Sequence, residues 1–449
     1  MKKALCDRIL LTIAVCLVFF SACQNKVSDD STVIETLLSD VPYEEMFQRT
    51  VSCDYLLPEN SPNVLISMVG YEPEDVKKVV FTGPKMGDVF TVIDADSRET
   101  VYEGIVCGSG SDGYTYGDFS EVTKSGTYYI ETGAYGRSYD FEIADSVYSD
   151  DYYAALASLS SNDLFADYEL GSAAVLNIVM AYDLNPEMYD TGSSVLAWIS
   201  DEMDDVLYQF ETDDSMIENI DTCDMLSLIT SFSRFSGIYR NIDAGMADMY
   251  MLTAEQMYQC IDSDDIMTSE YKVYWYMANA QLFRVTGKQK YLNVTEECIE
   301  NGVRSSASEG INPLFWGDYA YLTTPALSTK DICFDIISEM MEQSTYCCDV
   351  TSQSRFYECT DCDGAEDYLS TCFEILDNMR MITYTNYVIT NSEYRTALHN
   401  NYHYLMGLNT DSIMLWDEIN NLPDEEKLYV ESVLFVVLSD IDNYYDGSY

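Results

Sequence analysis

The chain has 449 residues, of which 47% are hydrophobic, so it can form two or three domains with a large core and is not a disordered polymer. Its formal net charge of −54 excludes nucleic acid as a partner, because binding to a phosphate backbone requires clustered Lys and Arg. The acidic residues indicate a strongly solvated surface. Most of the 38 Tyr residues are interpreted as packing side chains, although a tyrosine ring also suits contact with a sugar.

The N-terminus has the pattern of an export signal. Basic residues precede an apolar run at 9–20 that is too short to span a bilayer comfortably. The run ends in Phe-Phe-Ser-Ala-Cys, which resembles a bacterial lipobox with Cys23 as the lipidated first residue. This predicts a lipoprotein signal peptide at 1–22, a tether or linker at 23–61, and a protein that is exported and lipid-anchored to the bacterial cell surface. Cleavage after Ala22 by an ordinary signal peptidase is the alternative, and it would export the protein as well.

The cysteines form one tight cluster in the sequence. Cys347 and Cys348 are adjacent, and Cys359 and Cys362 follow with the spacing C-x-x-C. This pattern is compatible with disulfides or with a structural zinc site, and disulfides are favoured because no His lies nearby and an exported protein is in an oxidising environment. The sequence does not define the pairing, and no cofactor is expected.

Residues 62–148 show the pattern of short β-strands. Segments rich in Val, Ile and Phe are separated by Gly and Asp turns. The predicted strands are 64–69, 79–82, 89–94, 101–105, 126–131 and 139–143. About seven short strands within roughly a hundred residues are typical of an immunoglobulin-like sandwich.

Residues 149–449 show a helical pattern instead. About eleven segments repeat their apolar residues with the 3.6-residue period of a helix. The predicted helices are 152–160, 172–183, 194–210, 224–235, 246–260, 269–286, 291–303, 329–343, 368–383, 393–406 and 424–442. Successive helical hairpins of this kind can form a bundle, a solenoid or a closed α/α barrel, and the period does not choose among them.

Several motifs carry a resemblance to a known family. The segment that begins at Val64 and includes Val-Gly-Tyr-Glu-Pro at 69–73 resembles the immunoglobulin-like module that precedes the catalytic domain in many cellulases of glycoside hydrolase family 9. Three helical landmarks resemble that catalytic domain: Ala-Tyr-Asp-Leu at 181–184, Phe-Arg-Val-Thr-Gly at 283–287 and Tyr-Leu-Met-Gly-Leu-Asn at 404–409. The resemblance implies a multidomain protein, with an N-terminal all-β immunoglobulin-like sandwich followed by a divergent all-α barrel of the (α/α)6 type.

The resemblance also implies the chemistry. Family 9 enzymes hydrolyse glycosidic bonds with inversion, using a carboxylic acid and a carboxylate base that lie roughly 6.5–9.5 Å apart. Alignment of the last predicted helix places Glu425 at the acid position, with Glu426 one residue away. An ungapped alignment places Asp163 at the base position, and a shift of four residues places Asp167 there, so only one aspartate of the family motif remains. The Asp-Glu-Glu sequence is also a common helix start.

Other family features are missing. The family places His and Arg residues that grip the sugar in the loop that corresponds to 410–421, and this chain has neither there. Trp416 is the candidate substrate-binding residue in that loop, with packing as the alternative. His399 and His403 have the i, i+4 spacing of metal ligands, but no third ligand is evident and no metal site is predicted.

Two functions therefore remain. The first is a β-glucan (cellulose-type) hydrolase, and the second is a catalytically degenerate protein that binds glycans or acts as a scaffold at the cell surface. In both cases the expected partner is a polysaccharide, contact with a membrane is expected only through the lipid anchor, and no nucleic acid is expected.

Overall fold

The computed structural model describes residues 63–83, 85, 87–110, 113–184, 194–261, 266, 271–306, 311–325, 328–360 and 368–441. The predicted signal peptide, Cys23 and the tether lie outside these residues. Within them, no helix combines the length and the apolar character that a membrane crossing requires.

The first described domain is a sandwich of two antiparallel sheets. One sheet has the strand order β1-β2-β5, and the other has the order β4-β3-β6-β7 with β8 also pairing to β6. The strands are β1 Val64–Leu65, β2 Lys78–Thr82, β3 Val89–Asp94, β4 Thr100–Ile105, β5 Tyr114–Asp118, β6 Gly126–Thr132, β7 Gly136–Arg137 and β8 Phe141–Ile143. The predicted immunoglobulin-like sandwich is confirmed.

Strand β5 was missed by the sequence pattern for a physical reason. Its two buried residues are Thr115 and Gly117, so its inward face lacks the large apolar side chains that mark the other strands. A Cβ atom at Gly117 would lie 2.2 Å from the ring of Phe90. The small residues of β5 therefore leave the space that this core phenylalanine occupies.

The second domain consists of helical hairpins. Twelve long helices in the described part of the chain alternate between an outer and an inner layer, and two short helices lie in the connections. The outer helices are α1 Ser149–Leu159, α3 Ser194–Thr212, α6 Ala244–Cys260, α8 Gln289–Glu300, α10 Lys330–Gln353 and α12 Ser392–Leu405. The inner helices are α2 Tyr168–Leu184, α5 Thr222–Tyr239, α7 Lys272–Thr286, α9 Pro313–Leu322, α11 Tyr368–Val388 and α14 Asp424–Ile441. The short helices are α4 Asp214–Asn219 and α13 Leu415–Ile419.

The two layers differ in how they bury their surfaces. Inner helix α14 is buried on every side from Leu428 to Ser439. Outer helix α10 buries a single stripe, at Ile336, Met340, Ser344, Cys347 and Thr351. A helix that is apolar all round lies in an interior, whereas a single stripe marks a helix with one face to solvent. The predicted α/α barrel is confirmed.

Helix α9 was not among the predicted helices. All of its residues except Leu314 and Leu322 are buried, so its sequence has no polar face and therefore no helical period.

The six inner helices run in the same direction. Asp183, in the last turn of α2, accepts hydrogen bonds from Arg284 of α7 and Tyr319 of α9, both at 2.8 Å, and it also pairs with Arg234 of α5. Each partner lies in the second half of its helix, so the C-terminal ends of these helices meet. Although burial acts to raise it, the two guanidinium groups hold the pKa of Asp183 below its ordinary value. The opposite end, where the inner helices begin, is called the barrel mouth below.

The two histidines lie at the junction of the sandwich and the barrel. Asp75 of the sandwich pairs with His399 Nδ1 of α12 at 2.6 Å. Tyr148 donates a hydrogen bond to Asp75 at 2.6 Å, and its hydroxyl lies 2.7 Å from His403 Nε2. Burial lowers the pKa of His403 and so favours its neutral form.

This junction also brings carboxylates close to His399, so that three possible metal ligands lie together, which the sequence did not suggest. Ligand atoms of Glu72, Asp75 and His399 lie within 4.8 Å of one another. However, Glu72 already pairs with Arg395 at 3.2 Å, and Asp75 pairs with His399. These pairings occupy both carboxylates, and the cluster serves as a buried polar contact between the two domains.

Candidate active site

Glu425, the predicted acid, lies in the first turn of α14 at the barrel mouth. Residues four apart share one helix face, so Glu425 is stacked above Tyr429. The hydroxyl of Tyr429 donates a hydrogen bond to Asp377 of α11 at 3.0 Å and accepts one from Arg380 at 3.1 Å. Because Tyr429 points to another inner helix, this face of α14 is directed into the barrel.

A charged group lies below Glu425 inside the barrel. Arg380 of α11 is completely buried, and its guanidinium donates a hydrogen bond to Asp377 at 2.8 Å. The same guanidinium lies 5.1 Å from the ring centroid of Trp316 and 4.9 Å from that of Phe315. The Asp377 side chain is 34% exposed, so solvent reaches the carboxylate of this residue. We call Asp377, Arg380 and Tyr429 the barrel floor.

Sequence reasoning missed the barrel floor. Its members lie on two helices that are far apart in the chain, and no local motif connects them. One signal was present: Arg380 is the single basic residue in the otherwise apolar and polar neutral stretch Asn378-Met-Arg-Met-Ile382. A charge in the middle of a buried helix requires a partner.

Asp167, one of the two base candidates, caps the N-terminus of α2. Its Oδ1 accepts a hydrogen bond from the backbone N–H of Leu170 at 2.8 Å, as an N-cap side chain does. Helix α2 packs beside α14, where Asn177 donates a hydrogen bond to Ser432 at 2.9 Å. The structure therefore brings Asp167 and Glu425 to the same end of two neighbouring inner helices.

Asp163, the other base candidate, lies in the exposed loop between α1 and α2. Glu202 of the outer helix α3 is close to it: burial is the main cause that raises the pKa of Glu202, and the charge of Asp163 adds to it. The backbone N–H of Leu164 is hydrogen-bonded to the same Glu202. Asp163 thus belongs to a loop that contacts the outer layer, whereas Asp167 is fixed in the inner ring.

Glu431 anchors the start of this loop, and sequence reasoning did not identify it. Its carboxylate accepts hydrogen bonds from Ser158 at 2.6 Å and from Asn162 at 3.3 Å. Burial raises the pKa of Glu431. This buried carboxyl on α14 therefore ties the end of α1 and the first loop residues to the inner ring.

The loop also depends on Gly171 of α2. A Cβ atom there would lie 1.9 Å from the carbonyl oxygen of Leu164, which is backbone and cannot rotate away. Gly171→Ala should therefore reduce the free energy of unfolding by about 1–3 kcal/mol, measured by chemical denaturation. Gly237→Ala in α5 is the matched control: its nearest neighbour would lie 3.7 Å away, and it should be neutral or stabilising. Equal effects of the two substitutions would contradict this account.

Asp224 in the first turn of α5 adds an unusual carboxyl to the mouth. Burial, followed by the charges of Asp167, Asp221 and Glu169, raises the pKa of Asp224 to about 6. Tyr274 of α7 donates a hydrogen bond to Glu169. Asp224 therefore holds a proton at mildly acidic pH. The sequence gave no sign of it, because an acid in a first helical turn is an ordinary pattern.

Asp224→Asn should raise the melting temperature at pH 8 by about 2 °C. The ionised carboxylate is disfavoured in the folded protein, so it destabilises the fold above its folded pKa of about 6 and has no effect below the unfolded value near 4. The gain should therefore disappear as the pH falls from 8 to 4 in thermal unfolding scans. Asp248→Asn, at an exposed acid on outer helix α6, is the control. A gain of equal size at every pH would show that ionisation of Asp224 is not its cause.

Trp416, the candidate sugar contact, lies in the short helix α13 and is partly buried against the barrel core. Its indole lies beside the carboxylate of Asp151 in the first turn of α1. Asp151 also accepts a hydrogen bond from Tyr402 of α12. These contacts give the packing interpretation a physical basis, and the role in substrate binding stays a prediction.

Comparison with known proteins agrees with this architecture. Residues 59–137 match the family model of the cellulase N-terminal Ig-like domain. Endoglucanase D of Acetivibrio thermocellus is 28% identical over 137 residues, which are 29% of this chain and 19% of that protein. The chain therefore covers less than a fifth of the length of this relative.

Solved structures match most of the chain. A metagenome-derived glycoside hydrolase family 9 endoglucanase has a TM-score of 0.68 at 15% identity, over 85% of this chain and 99% of its own. A Bacteroides ovatus GH9 protein has a TM-score of 0.66 at 14% identity, over 85% and 98%. A thermostable endoglucanase from Alicyclobacillus acidocaldarius has a TM-score of 0.64 at 13% identity, over 85% and 100%.

These likenesses define the class as a cellulase-type immunoglobulin-like domain followed by an α/α barrel. The N-terminal domain is similar to the cellulase N-terminal Ig-like domain, and the helical domain has the fold of the family 9 glycoside hydrolases. The resemblance read from the sequence motifs is confirmed at this level.

Proposed function

We propose that this protein is a glycoside hydrolase that cleaves β-glucan chains of the cellulose type with inversion at the barrel mouth. Glu425 is the general acid that protonates the leaving oxygen, and Asp167 is the general base that takes a proton from the attacking water. The observation that carries the proposal is the position of Glu425 and Asp167 at the starts of two neighbouring inner helices. Inversion requires two carboxyl groups on opposite sides of the bond with room for a water molecule.

The surroundings of the two carboxyl groups support this proposal. The barrel floor offers the partly exposed carboxylate of Asp377, which can accept hydrogen bonds from sugar hydroxyls and is held in place by buried Arg380 and Tyr429. Asp224 lies close enough to Asp167 for the two charges to interact, so the mouth concentrates negative charge where an oxocarbenium-like transition state develops positive charge. The similar proteins are described as endoglucanases, which supports a β-glucan as the substrate.

We further propose that the protein acts outside the cell, held at the surface by a lipid on Cys23. The apolar run and the lipobox-like sequence that ends at Cys23 support this. A polymer that does not enter the cell must be cleaved there.

The test is release of reducing sugar from soluble β-glucan by the purified mature protein. Asp167→Asn should abolish the activity, and it is a clean variant because Asn is as good a helix N-cap as Asp. Asp163→Asn is the matched control and should retain activity. If Asp163→Asn is inactive and Asp167→Asn active, the base is Asp163. An inactive wild type that is correctly folded would overturn the proposal of hydrolysis.

The second candidate is a protein that binds glycans without cleaving them. It is favoured by the stretch 410–421, which has no His or Arg to hold the sugar next to the scissile bond. Titration calorimetry with soluble β-glucan separates the two functions: binding without reducing-sugar release supports the second, and release supports the first.

A further inference from the structure

Two buried thiols face each other where helix α10 is followed by the segment 354–360. Cys347 in α10 is 1% exposed, and Cys359 in the segment is 3% exposed. Their thiol groups hydrogen-bond each other. Two cysteines in contact, both shielded from solvent, are arranged as the two halves of a disulfide are.

The backbone holds this arrangement in place. The side chain of Asn401 on α12 accepts a hydrogen bond from the backbone N–H of Cys359 at 2.7 Å and donates one to Thr351 at 3.1 Å. Thr351 lies one turn after Cys347 and donates a hydrogen bond to its carbonyl at 2.8 Å. Asn401 thus fixes the backbone of Cys359 beside the turn of α10 that carries Cys347, and the contact does not depend on side-chain rotation alone.

The neighbouring thiol has a different environment. Cys348 is directed to α12, where its Sγ lies 3.7 Å from the carbonyl oxygen of Glu393. Burial raises the pKa of the Cys348 thiol to about 12, so it is a poor nucleophile. Of the cysteines in this cluster that the structure describes, Cys347 and Cys359 are the pair in contact, which narrows the pairing that the sequence left open.

The segment 354–360 also carries contacts to the sandwich. The Lys78 ammonium of β2 lies 3.5 Å from the centroid of the Tyr357 ring and 3.4 Å from the carbonyl oxygen of Ser354. The rings of Phe356 and Tyr114 meet edge to face at 5.3 Å. A covalent link that holds this segment in place would therefore also hold part of the surface that contacts strands β2 and β5.

We propose that Cys347 and Cys359 form an intrachain disulfide, and that this disulfide holds the segment 354–360 in the position that receives the sandwich. It forms by exchange with a small-molecule disulfide or a disulfide-bearing oxidoreductase. The thiolate of one of these two cysteines attacks one sulfur of the oxidant and releases the first thiolate, and the thiolate of the other then attacks the protein sulfur of the mixed disulfide and releases the second. Two protein thiols are oxidised to one disulfide while the oxidant's disulfide is reduced to two thiols.

In the folded chain the hydrogen bond from Cys359 holds the pKa of the Cys347 thiol below its ordinary value. Because both sulfurs are buried in the folded chain, the exchange belongs to folding, before the segment closes over α10.

The experiment is refolding of the reduced mature protein in the presence of glutathione disulfide, followed by peptide mapping under non-reducing conditions. We expect a linked pair of peptides that contain Cys347 and Cys359, and a melting temperature that falls by about 5 °C when a reductant is added. A link between any other pair, or free thiols at both positions, would overturn the proposal.

Two variants show whether the effect of the reductant on the melting temperature comes from the Cys347–Cys359 disulfide. Cys359→Ala should lose the dependence of the melting temperature on reductant. Cys298→Ala, at a buried cysteine of α8, creates a cavity of the same size and should keep that dependence. If Cys359→Ala does not fold, peptide mapping of the wild type still decides the question. A reductant effect of the same size in both variants would contradict the assignment.

Discussion

The variant Glu425→Gln should hydrolyse soluble β-glucan about 100- to 10,000-fold more slowly than the wild type, the usual contribution of general acid catalysis. Glutamine keeps the size of the side chain and its place in the first turn of α14, but it has no proton to give to the leaving oxygen. The loss should appear in kcat, with little change in KM, in a reducing-sugar assay. Circular dichroism should show an unchanged fold, because the side chain lies at a helix start and is partly exposed.

Glu426→Gln is the matched control for this prediction. The two residues are adjacent acids in the same helical turn, so both affect the helix dipole alike. Only Glu425 lies four residues before Tyr429, above the barrel floor, whereas Glu426 lies four before Val430. Glu426→Gln should therefore keep near wild-type activity. If it loses as much activity as Glu425→Gln, the helix start as a whole, and no single acid, is responsible.

Asp75→Ala should reduce the free energy of unfolding by about 3 kcal/mol, because removing one partner of a buried ion pair leaves the other buried without compensation. Asp75 is the central acceptor of the junction between the two domains, paired with His399 and hydrogen-bonded to Tyr148. Urea denaturation at pH 7 measures the effect. Glu74→Ala, which removes the exposed neighbouring acid, is the control and should change stability by less than about 0.5 kcal/mol.

The stabilisation that Asp75 contributes should depend on pH in one direction. Although burial acts to raise it, His399 and His403 hold the pKa of Asp75 well below its usual range. The stabilisation is therefore complete above the unfolded pKa near 4 and is lost as the pH falls through the lower folded pKa. The difference between wild type and Asp75→Ala should be constant from pH 8 to pH 5 and should shrink below about pH 4. A difference that already declines between pH 8 and pH 6 would contradict the assignment of this stabilisation to the Asp75 carboxylate.

The large elements of the fold could be predicted because their signals are local. Strand β3, Val89–Asp94, has the predicted bounds, because the large apolar residues Phe90 and Val92 alternate with more exposed residues along it. Inner helix α9 could not be predicted in this way, since it is buried on almost every side. Strand β5 could not be predicted because Thr115 and Gly117 fill its buried face.

The candidate site was predicted only in part, because it depends on which helices are neighbours. Glu425 and the two base candidates came from a family motif. The choice between Asp163 and Asp167 stayed open, since the loop position depends on Gly171 and Glu431, which lie on two different inner helices. The barrel floor joins α11 to α14, and a contact between distant parts of the chain leaves no pattern in either segment.

The parallel course of the inner helices has a consequence for the kind of polymer that the mouth accepts. Six aligned helices direct six dipoles the same way, so the partial positive charges of their N-termini converge at the mouth. The acids at these helix starts, among them Asp167, Asp224 and Glu425, offset these partial charges. A polymer with its own carboxylates meets these acids and is repelled, whereas an uncharged chain is not. We therefore expect the mouth to favour neutral over acidic polysaccharides, and raising the ionic strength should weaken the exclusion of acidic ones.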